Sequence, residues 1–238
     1  MLPLAILAGG YATRLGLLTA EVPKCLMEVN GRPFVDWQLD LLIENGYSDF
    51  VFCVSHKADS IQKYLGNGSA RGVSIQYSID GDTQLGTGGA IAKAVPMLGG
   101  EFGVVYGDSY LPTDYLPVEQ RFLASKNAGL MTVYENRNKF DLSNVEFADG
   151  KLLNYQKGLQ LPQMNYIDYG LMYFRAKVFM SKRNKGKFDL SEICHKLAKD
   201  GELDGFEIPS RFYEVGSHQG IQELSSYLEK QFGKVKRE

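Results

Sequence analysis

Four short strand-like runs, LPLAILA (2–8), FVFCVS (50–55), VSIQYSI (73–79) and FGVVYGDS (102–109), alternate with helix-like runs through the first half of the chain. The helix-like runs are PFVDWQLDLLIENG (33–46), DSIQKYLGNG (59–68) and TGGAIAKAVPML (87–98). The first opens on Pro33 and stops at Gly46, as helices do, with Phe34, Trp37, Leu41 and Leu42 expected on its buried face. The second closes on glycine, and the third is expected to be helical despite its glycines. Strands that are nearly apolar throughout need cover on both faces, which β-α-β alternation supplies. The pattern predicts a mostly parallel, Rossmann-like α/β sheet flanked by helices. In such sheets ligands gather at the C-terminal ends of the strands, where Gly9, Gly10 and Asp108 fall.

From about residue 128 the strands come in series: GLMTVYE, NVEF, the turn ADGK, LLNYQ and later DYGLMYF. Asp149-Gly150 between two strand-like runs is a hairpin signal, so a small antiparallel portion is expected beside the parallel half. The tail HQGIQELSSYLEKQF puts Ile221, Leu224, Leu228 and Phe232 on one helical face and reads as a packed terminal helix. No repeat, low-complexity segment or Pro/Gly/Ser-rich linker divides the chain. Residues 1–238 are therefore expected to form one domain of two halves, 1–127 with the parallel strands and 128–238 with the antiparallel portion and the terminal helix.

Composition narrows the function. The 44% hydrophobic content fills a real core, and 26 Lys plus Arg against 28 Asp plus Glu leave a formal charge of -2. Such a chain has no general basic field for a nucleic acid or an anionic membrane, so any anion site is local. Cys25, Cys53 and Cys194 are odd in number and far apart, which argues against both a disulfide framework and a CxxC zinc cluster. The N-terminus has no basic region and its apolar run is too short for a bilayer, so it reads as a core strand and the protein as cytoplasmic.

LAGGYATRLG (7–16) follows the first strand. Glycines let backbone amides approach a phosphate, and an arginine on the same loop neutralises phosphate oxygens with a planar fork of donors. By itself a Gly-Gly turn after a strand is often only a turn. The stretch is neither a GK[ST] P-loop nor a GxGxxG fingerprint. Lys24, directly after Pro23, lies about ten residues beyond Arg14 on a segment returning over the same sheet edge.

AGGYATRL followed by VPK resembles the signature of the sugar-phosphate nucleotidyltransferases, roughly GGxGTRLxPLTxxxPKxLxxVxGKP. NGRPFVDWQLDLLIENG, LGTGGAIAKA, YGDS, IDYGLMYF and YEVGS follow in that family's order and at similar spacing, so the resemblance covers nearly the whole chain. It is similar to the short bacterial members without a C-terminal β-helix, including heptose 1-phosphate guanylyltransferases and muramate-sugar uridylyltransferases. The resemblance implies the nucleotide-diphospho-sugar transferase type of fold and the joining of a nucleoside triphosphate to a sugar 1-phosphate, giving an NDP-sugar and pyrophosphate.

It further implies that Ala8, Gly9 and Gly10 lie against base and ribose, that Thr13 and Arg14 hold the triphosphate, and that Lys24 binds phosphate oxygens near the reacting centre. Gly86, Thr87 and Gly88 of LGTGG would close over the nucleotide, at a helix start whose free amides favour an anion or a polar base edge, although a close helix-sheet contact explains such glycines as well. Asp108, a carboxylate leaving an apolar strand, would hold a phosphate-bound Mg²⁺. Glu214 stands where the family has the Asp of a DxGT-like motif and would be the second metal ligand. Lys157 would reach the sugar 1-phosphate, while Asp168, in the place of an Asn, and Gly170 would meet the sugar. Ala12 replaces a common Gly, which implies an ordinary φ there.

The implied nucleophile is a phosphate oxygen already ionised near neutral pH, so the chemistry needs no general base. His56, His195 and His218 are not spaced as a zinc motif and read as structural or surface residues, as Cys25 reads as a small buried hydrophobe. Two alternatives stay open: a cytidylyltransferase using a non-sugar phosphate such as phosphocholine, with Tyr110, Tyr155, Tyr166 or Tyr169 boxing the ammonium, and a non-catalytic nucleotide-binding regulatory subunit. The sequence leaves the base, the sugar and the oligomeric state open, a homodimer being one option.

Overall fold

The computed structural model describes residues 1–10, 22–55, 57–81, 83–159, 161–182 and 185–233. Ala12, Thr13, Arg14 and His56 lie outside the described residues.

In chain order the elements are β1 (Leu4–Leu7), β2 (Glu28–Val29), β3 (Arg32–Pro33), α1 (Phe34–Glu44), β4 (Asp49–Val54), α2 (Ala58–Leu65), β5 (Ser74–Ile79), α3 (Gly86–Leu98), β6 (Glu101–Tyr106) and β7 (Ser109–Tyr110). There follow α4 (Leu116–Ala124), β8 (Gly129–Glu135), β9 (Val145–Ala148), β10 (Lys151–Tyr155), β11 (Tyr166–Arg175), α5 (Lys177–Met180), α6 (Leu190–Lys199), β12 (Leu203–Glu207), β13 (Tyr213–Glu214) and α7 (His218–Phe232). Among the described residues one 9-stranded sheet runs β10-β9-β11-β6-β1-β4-β5, with β8 on β11 and β12 beside β8. β5, β4, β1 and β6 are mutually parallel, and β11 joins β6 antiparallel. The mixed sheet expected from the sequence is thus formed, and strands from both halves of the chain share it.

Strand alternation divides the core. Leu4, Ile6, Phe50, Phe52 and Val54 face one layer with Val35, Leu39 and Ile61, whereas Ala5, Val51, Cys53 and Val104 face the other with Ile91, Ala94 and Ile193. The expected single buried face of α1 is corrected. Phe34 and Trp37 join a third cluster with Val215, Leu224 and Leu228, Leu41 packs partly against it, and Leu42 enters the main core with Val35 and Leu39. The helix is sandwiched between the sheet and α7. At the end of α7, Phe232 is 59% exposed, because the helix runs past its support and Phe232 meets only the rim, 6.0 Å from the Trp37 ring centroid.

The Asp149-Gly150 turn forms with φ of 51° and 72°, the two left-handed residues that a tight hairpin needs. β12 is not expected from LDGFE, whose glycine and acids are poor strand formers, yet Gly205 is required there. A Cβ would come 2.6 Å from the Phe147 ring.

Candidate active site

The strand order creates the site. From β1 the chain builds outward through β4 to β5, then returns to place β6 on the other side of β1, so a crevice opens where the order reverses. Leu7 is in register with Tyr106, which brings Ala8-Gly9-Gly10 and Gly107-Asp108 out side by side. Gly107 is required at this approach, since its Cβ would lie 2.9 Å from the Leu7 oxygen and 3.0 Å from Ala8 Cα. A cavity of about 240 Å³ lies here, lined among others by Gly9, Gly10, Asp80, Gln84, Gly86, Thr87, Tyr106 and Asp108.

The Gly9 carbonyl is fixed by two donors, Ser55 Oγ at 2.7 Å and Gln84 Nε2 at 3.0 Å. Among the described residues nothing lies within 4 Å of where a Cβ on Gly10 would stand.

Lys24 sits in a 3-10 turn, Lys24–Leu26, opened by Pro23. Cys25 is buried and anchors the turn, while Lys24 Nζ reaches Asp108 Oδ2 at 3.1 Å and passes within 3.7 Å of where a Cβ on Gly216 would stand. Burial pushes the Cys25 thiol up to about 12, so it is an anchor and no nucleophile. Ala8, Gly10, Lys24 and Asp108 also line a small adjoining hollow.

In the glycine-rich start of α3, Gly86 has φ +71° and a Cβ there would stand 2.5 Å from the Phe188 oxygen. A Cβ on Gly88 would lie 2.3 Å from the Phe188 ring. The Gly88 and Gly89 amides donate to the Phe188 carbonyl at 3.1 and 3.3 Å, and Thr87 Oγ1 accepts from Leu190 N at 2.8 Å. Gly86 and Thr87 line the cavity, whereas Gly88 packs beneath Phe188 with its amide already engaged.

Asp168 lies one layer away. Its Oδ1 accepts from Gly170 N at 2.9 Å and its Oδ2 from Tyr106 OH at 3.4 Å, so a cavity-lining tyrosine touches it. Burial raises its carboxyl to about 7 against these hydrogen bonds and the Lys157 charge. Gly170, at φ +104°, stands inside the register shift between β11 and β8 that aims Asp168. Lys157 Nζ pairs with Asp189 Oδ2 at 3.3 Å, and Asp189 caps α6 beside Thr87.

Glu214 is placed differently from Asp108. Its backbone pairs with Ser109, and Val215 N donates to the Asp108 backbone carbonyl at 2.9 Å. Val215 is buried in the third cluster, so alternation turns Glu214 outward, where it is exposed and lines a separate hollow with Lys139, Asp141 and Arg211. Among the described residues no three His, Cys, Asp or Glu side chains form a ready metal cage. A single carboxylate still suits Mg²⁺, which keeps waters and phosphate oxygens around one or two protein ligands, and Asp108, part-exposed at the cavity, fits that need.

The four tyrosines of the aromatic-box alternative are dispersed: Tyr169 lies in the first core cluster, Tyr155 and Tyr166 lie in or against the second, and Tyr110 lies in the third. Ser55, Asp80, Gln84 and Tyr106 are site residues that the sequence reading missed. For Ser55, Asp80 and Tyr106 a signal was present, because they end β4, β5 and β6 at the same sheet edge as Gly9.

A glycine turn, a lysine and a carboxylate at the switch point of a parallel sheet define an α/β nucleotide-binding transferase. The chain belongs to the nucleotidyl transferase family, whose profile matches residues 4–231. It is similar to the D-glycero-alpha-D-manno-heptose 1-phosphate guanylyltransferase of Campylobacter jejuni, 33% identical over 211 residues, 89% of this chain and 93% of that protein. It also matches the N-acetylmuramate alpha-1-phosphate uridylyltransferase of Neisseria meningitidis serogroup B, 40% identical over 111 residues, 46% of this chain and 48% of that protein. In fold it resembles UDP-glucose pyrophosphorylase from Acinetobacter baumanii (TM-score 0.82, 17% identity, 98% of this chain and 95% of that one). HddC from Yersinia pseudotuberculosis complexed with GMP-PN is also alike in fold (TM-score 0.77, 21% identity, 96% and 100%). No helix among the described residues is long and apolar enough to cross a membrane.

Proposed function

We propose that the chain joins a nucleoside triphosphate to a sugar 1-phosphate, forming an NDP-sugar and releasing pyrophosphate. The observation that carries this reading is the Lys24–Asp108 pair, held at 3.1 Å beside the Gly9-Gly10 turn, in a chain of the nucleotidyl transferase family. The sugar-phosphate oxygen attacks the α-phosphorus in line, and it is already ionised, so positioning and charge neutralisation supply the catalysis. Lys24 neutralises charge on the α-phosphate and the departing pyrophosphate, with Arg14 assigned to the triphosphate. Ala8, Gly9, Gly10, Thr13, Gly86 and Thr87 enclose the nucleoside, and Gly88 supports that wall from behind. Lys157 takes the sugar phosphate, exchanging its contact with Asp189, while Asp168 and Gly170 face the sugar.

Asp108 is the proposed Mg²⁺ ligand, with Glu214 as the second carboxylate once its side chain turns from the outer hollow. Bound there, the ion would neutralise phosphate charge and orient the leaving group. The reading is tested by pyrophosphate release with Mg²⁺ across GTP, UTP, CTP, ATP and dTTP against a panel of sugar 1-phosphates and phosphocholine. Release that requires one triphosphate together with one sugar phosphate supports it. Release with phosphocholine alone, or nucleotide binding without turnover on any acceptor, contradicts it.

A further inference from the structure

On the reading of Lys24 and Asp108 as the pair at the reacting centre, we propose that Gln38 is the positioning residue that sets their geometry. Gln38 lies on α1 and is only 3% exposed, so bulk water is no substitute for its hydrogen bonds. Its Nε2 donates to two backbone oxygens, Tyr106 O at 2.8 Å and Ser109 O at 2.8 Å. Tyr106 ends β6 and Ser109 begins β7, so this one nitrogen joins the two ends of the turn that carries Gly107 and Asp108.

The turn is tied to β1 by Gly107 N, which donates to the Leu7 oxygen at 3.0 Å, and to β13 by Val215 N, which donates to the Asp108 carbonyl at 2.9 Å. Gln38 ties its two ends to each other and to α1. The same helix sets Lys24. Phe34 N, at the start of α1, donates to the Met27 oxygen at 2.8 Å, directly after the Lys24–Leu26 turn, and Cys25 of that turn shares a core cluster with Val35 and Leu39. One helix therefore registers both partners of a contact between residues 84 positions apart.

The residue type fits the task. A primary amide carries two N–H groups on one nitrogen, whereas a hydroxyl or a single ring nitrogen carries one and a lysine would bury a charge. The other end of the side chain shows what the fold gives up for these donors. Gln38 Oε1 is buried and has no hydrogen-bond partner among the described residues. A buried acceptor left bare opposes folding, and an apolar side chain on this face of α1, which also carries Val35, Leu39 and Leu42, would avoid it. Packing alone therefore does not account for a glutamine here, and the two donors to the Asp108 turn do.

The test compares kcat, KM, the equilibrium dissociation constant of the Mg²⁺-triphosphate and the melting temperature for the wild-type protein, Gln38→Met, Gln38→Asn, Asp108→Ala and the double variant Gln38→Met/Asp108→Ala. Met keeps the length without the donors, and Asn keeps the donors on a shorter stem. Gln38→Met should lower kcat about ten- to hundredfold with the dissociation constant within about threefold of wild type, and Gln38→Asn should fall between. In the Asp108→Ala background the same change should cost kcat less than about threefold, because the carboxylate that Gln38 aims is gone. An equal loss in both backgrounds, or a loss in binding alone, overturns the proposal. Should Gln38→Met not fold, Gln38→Asn decides: a lowered kcat with binding intact supports the proposal, while full turnover or unfolding overturns it. Normal turnover in Gln38→Met beside a crippled Asp108→Ala overturns the role of Gln38 alone. Normal turnover in Asp108→Ala, or none in the wild-type protein on any substrate, overturns the catalytic reading and the role of Gln38 with it.

Discussion

Lys24 and Asp108, 84 residues apart in sequence, meet at 3.1 Å over the C-terminal edge of the sheet. The lysine comes from a turn anchored by a buried cysteine, and the aspartate from the end of an apolar strand. Both side chains are part-exposed, 20% and 32%, so the pair adds at most about 1 kcal/mol to folding. Lys24→Ala and Asp108→Ala should each lower kcat by orders of magnitude while leaving the urea midpoint nearly unchanged. Near-normal turnover in either variant removes the mechanism.

Glu214, the proposed second Mg²⁺ carboxylate, is a place to test metal binding apart from folding. With its side chain exposed, Glu214→Ala should leave stability nearly intact and raise the Mg²⁺ concentration for half-maximal rate, by less than Asp108→Ala does. A Mg²⁺ titration of the two variants decides this, and an unchanged requirement in Glu214→Ala leaves Asp108 as the metal carboxylate.

Gly88 tests the packing under the nucleotide wall. Its Cβ would stand 2.3 and 2.4 Å from two atoms of the Phe188 ring, so Gly88→Ala should cost about 1–3 kcal/mol in urea unfolding. The double variant Gly88→Ala/Phe188→Leu should lose less than the sum of the two single changes, because the clash is with the ring. Strict additivity would place the cost elsewhere.

Asp168 gives stability a pH slope. Its folded-state value of about 7 lies above that of the unfolded chain, near the ordinary 3.8, so between those values the folded protein holds a proton that the unfolded chain has lost. Its contribution is complete below about pH 4 and is lost as pH rises through about 7. Asp168→Asn should flatten the stability difference between pH 5 and pH 8 by up to about 3 kcal/mol, read from unfolding curves at the two values. A slope equal to that of the wild type would show Asp168 to be ionised throughout.

Cys25, Cys53 and Cys194 are free and buried, and burial pushes the first two up to about 12. Native protein at pH 8 should resist a thiol reagent and react fully only after denaturation. Fast labelling of any one of them in the native state would contradict the packing.

The parallel half of the fold was legible because apolar strands and periodic helices are local signals, whereas Gly9 and Lys24, each ordinary alone, stood out only through several motifs in the family's order, and Asp108 through a carboxylate at the end of an apolar strand. What was hidden depended on partners distant in sequence. LGTGG reads either as free helix-start amides or as a close packing contact, and only the structure shows that the Phe188 carbonyl, a hundred residues on, occupies the Gly88 and Gly89 amides. Glu214 reads as a metal ligand by its place in the YEVGS motif, and only the structure shows that it lines a hollow shared with Gly216, beside Lys24. The capping box of α6, Asp189 with Glu192, was present as a local signal and marks a helix that no apolar run announces.

Following the phosphorus atoms distinguishes nucleotidyl transfer from hydrolysis. The protein is incubated with Mg²⁺, the triphosphate that it binds most tightly and a sugar 1-phosphate, and the mixture is followed by phosphorus NMR. An NDP-sugar and pyrophosphate should appear in equal amounts, with both substrates consumed together. A nucleoside diphosphate with inorganic phosphate, or a nucleoside monophosphate with pyrophosphate while the sugar phosphate stays untouched, would show hydrolysis in place of transfer and contradict it.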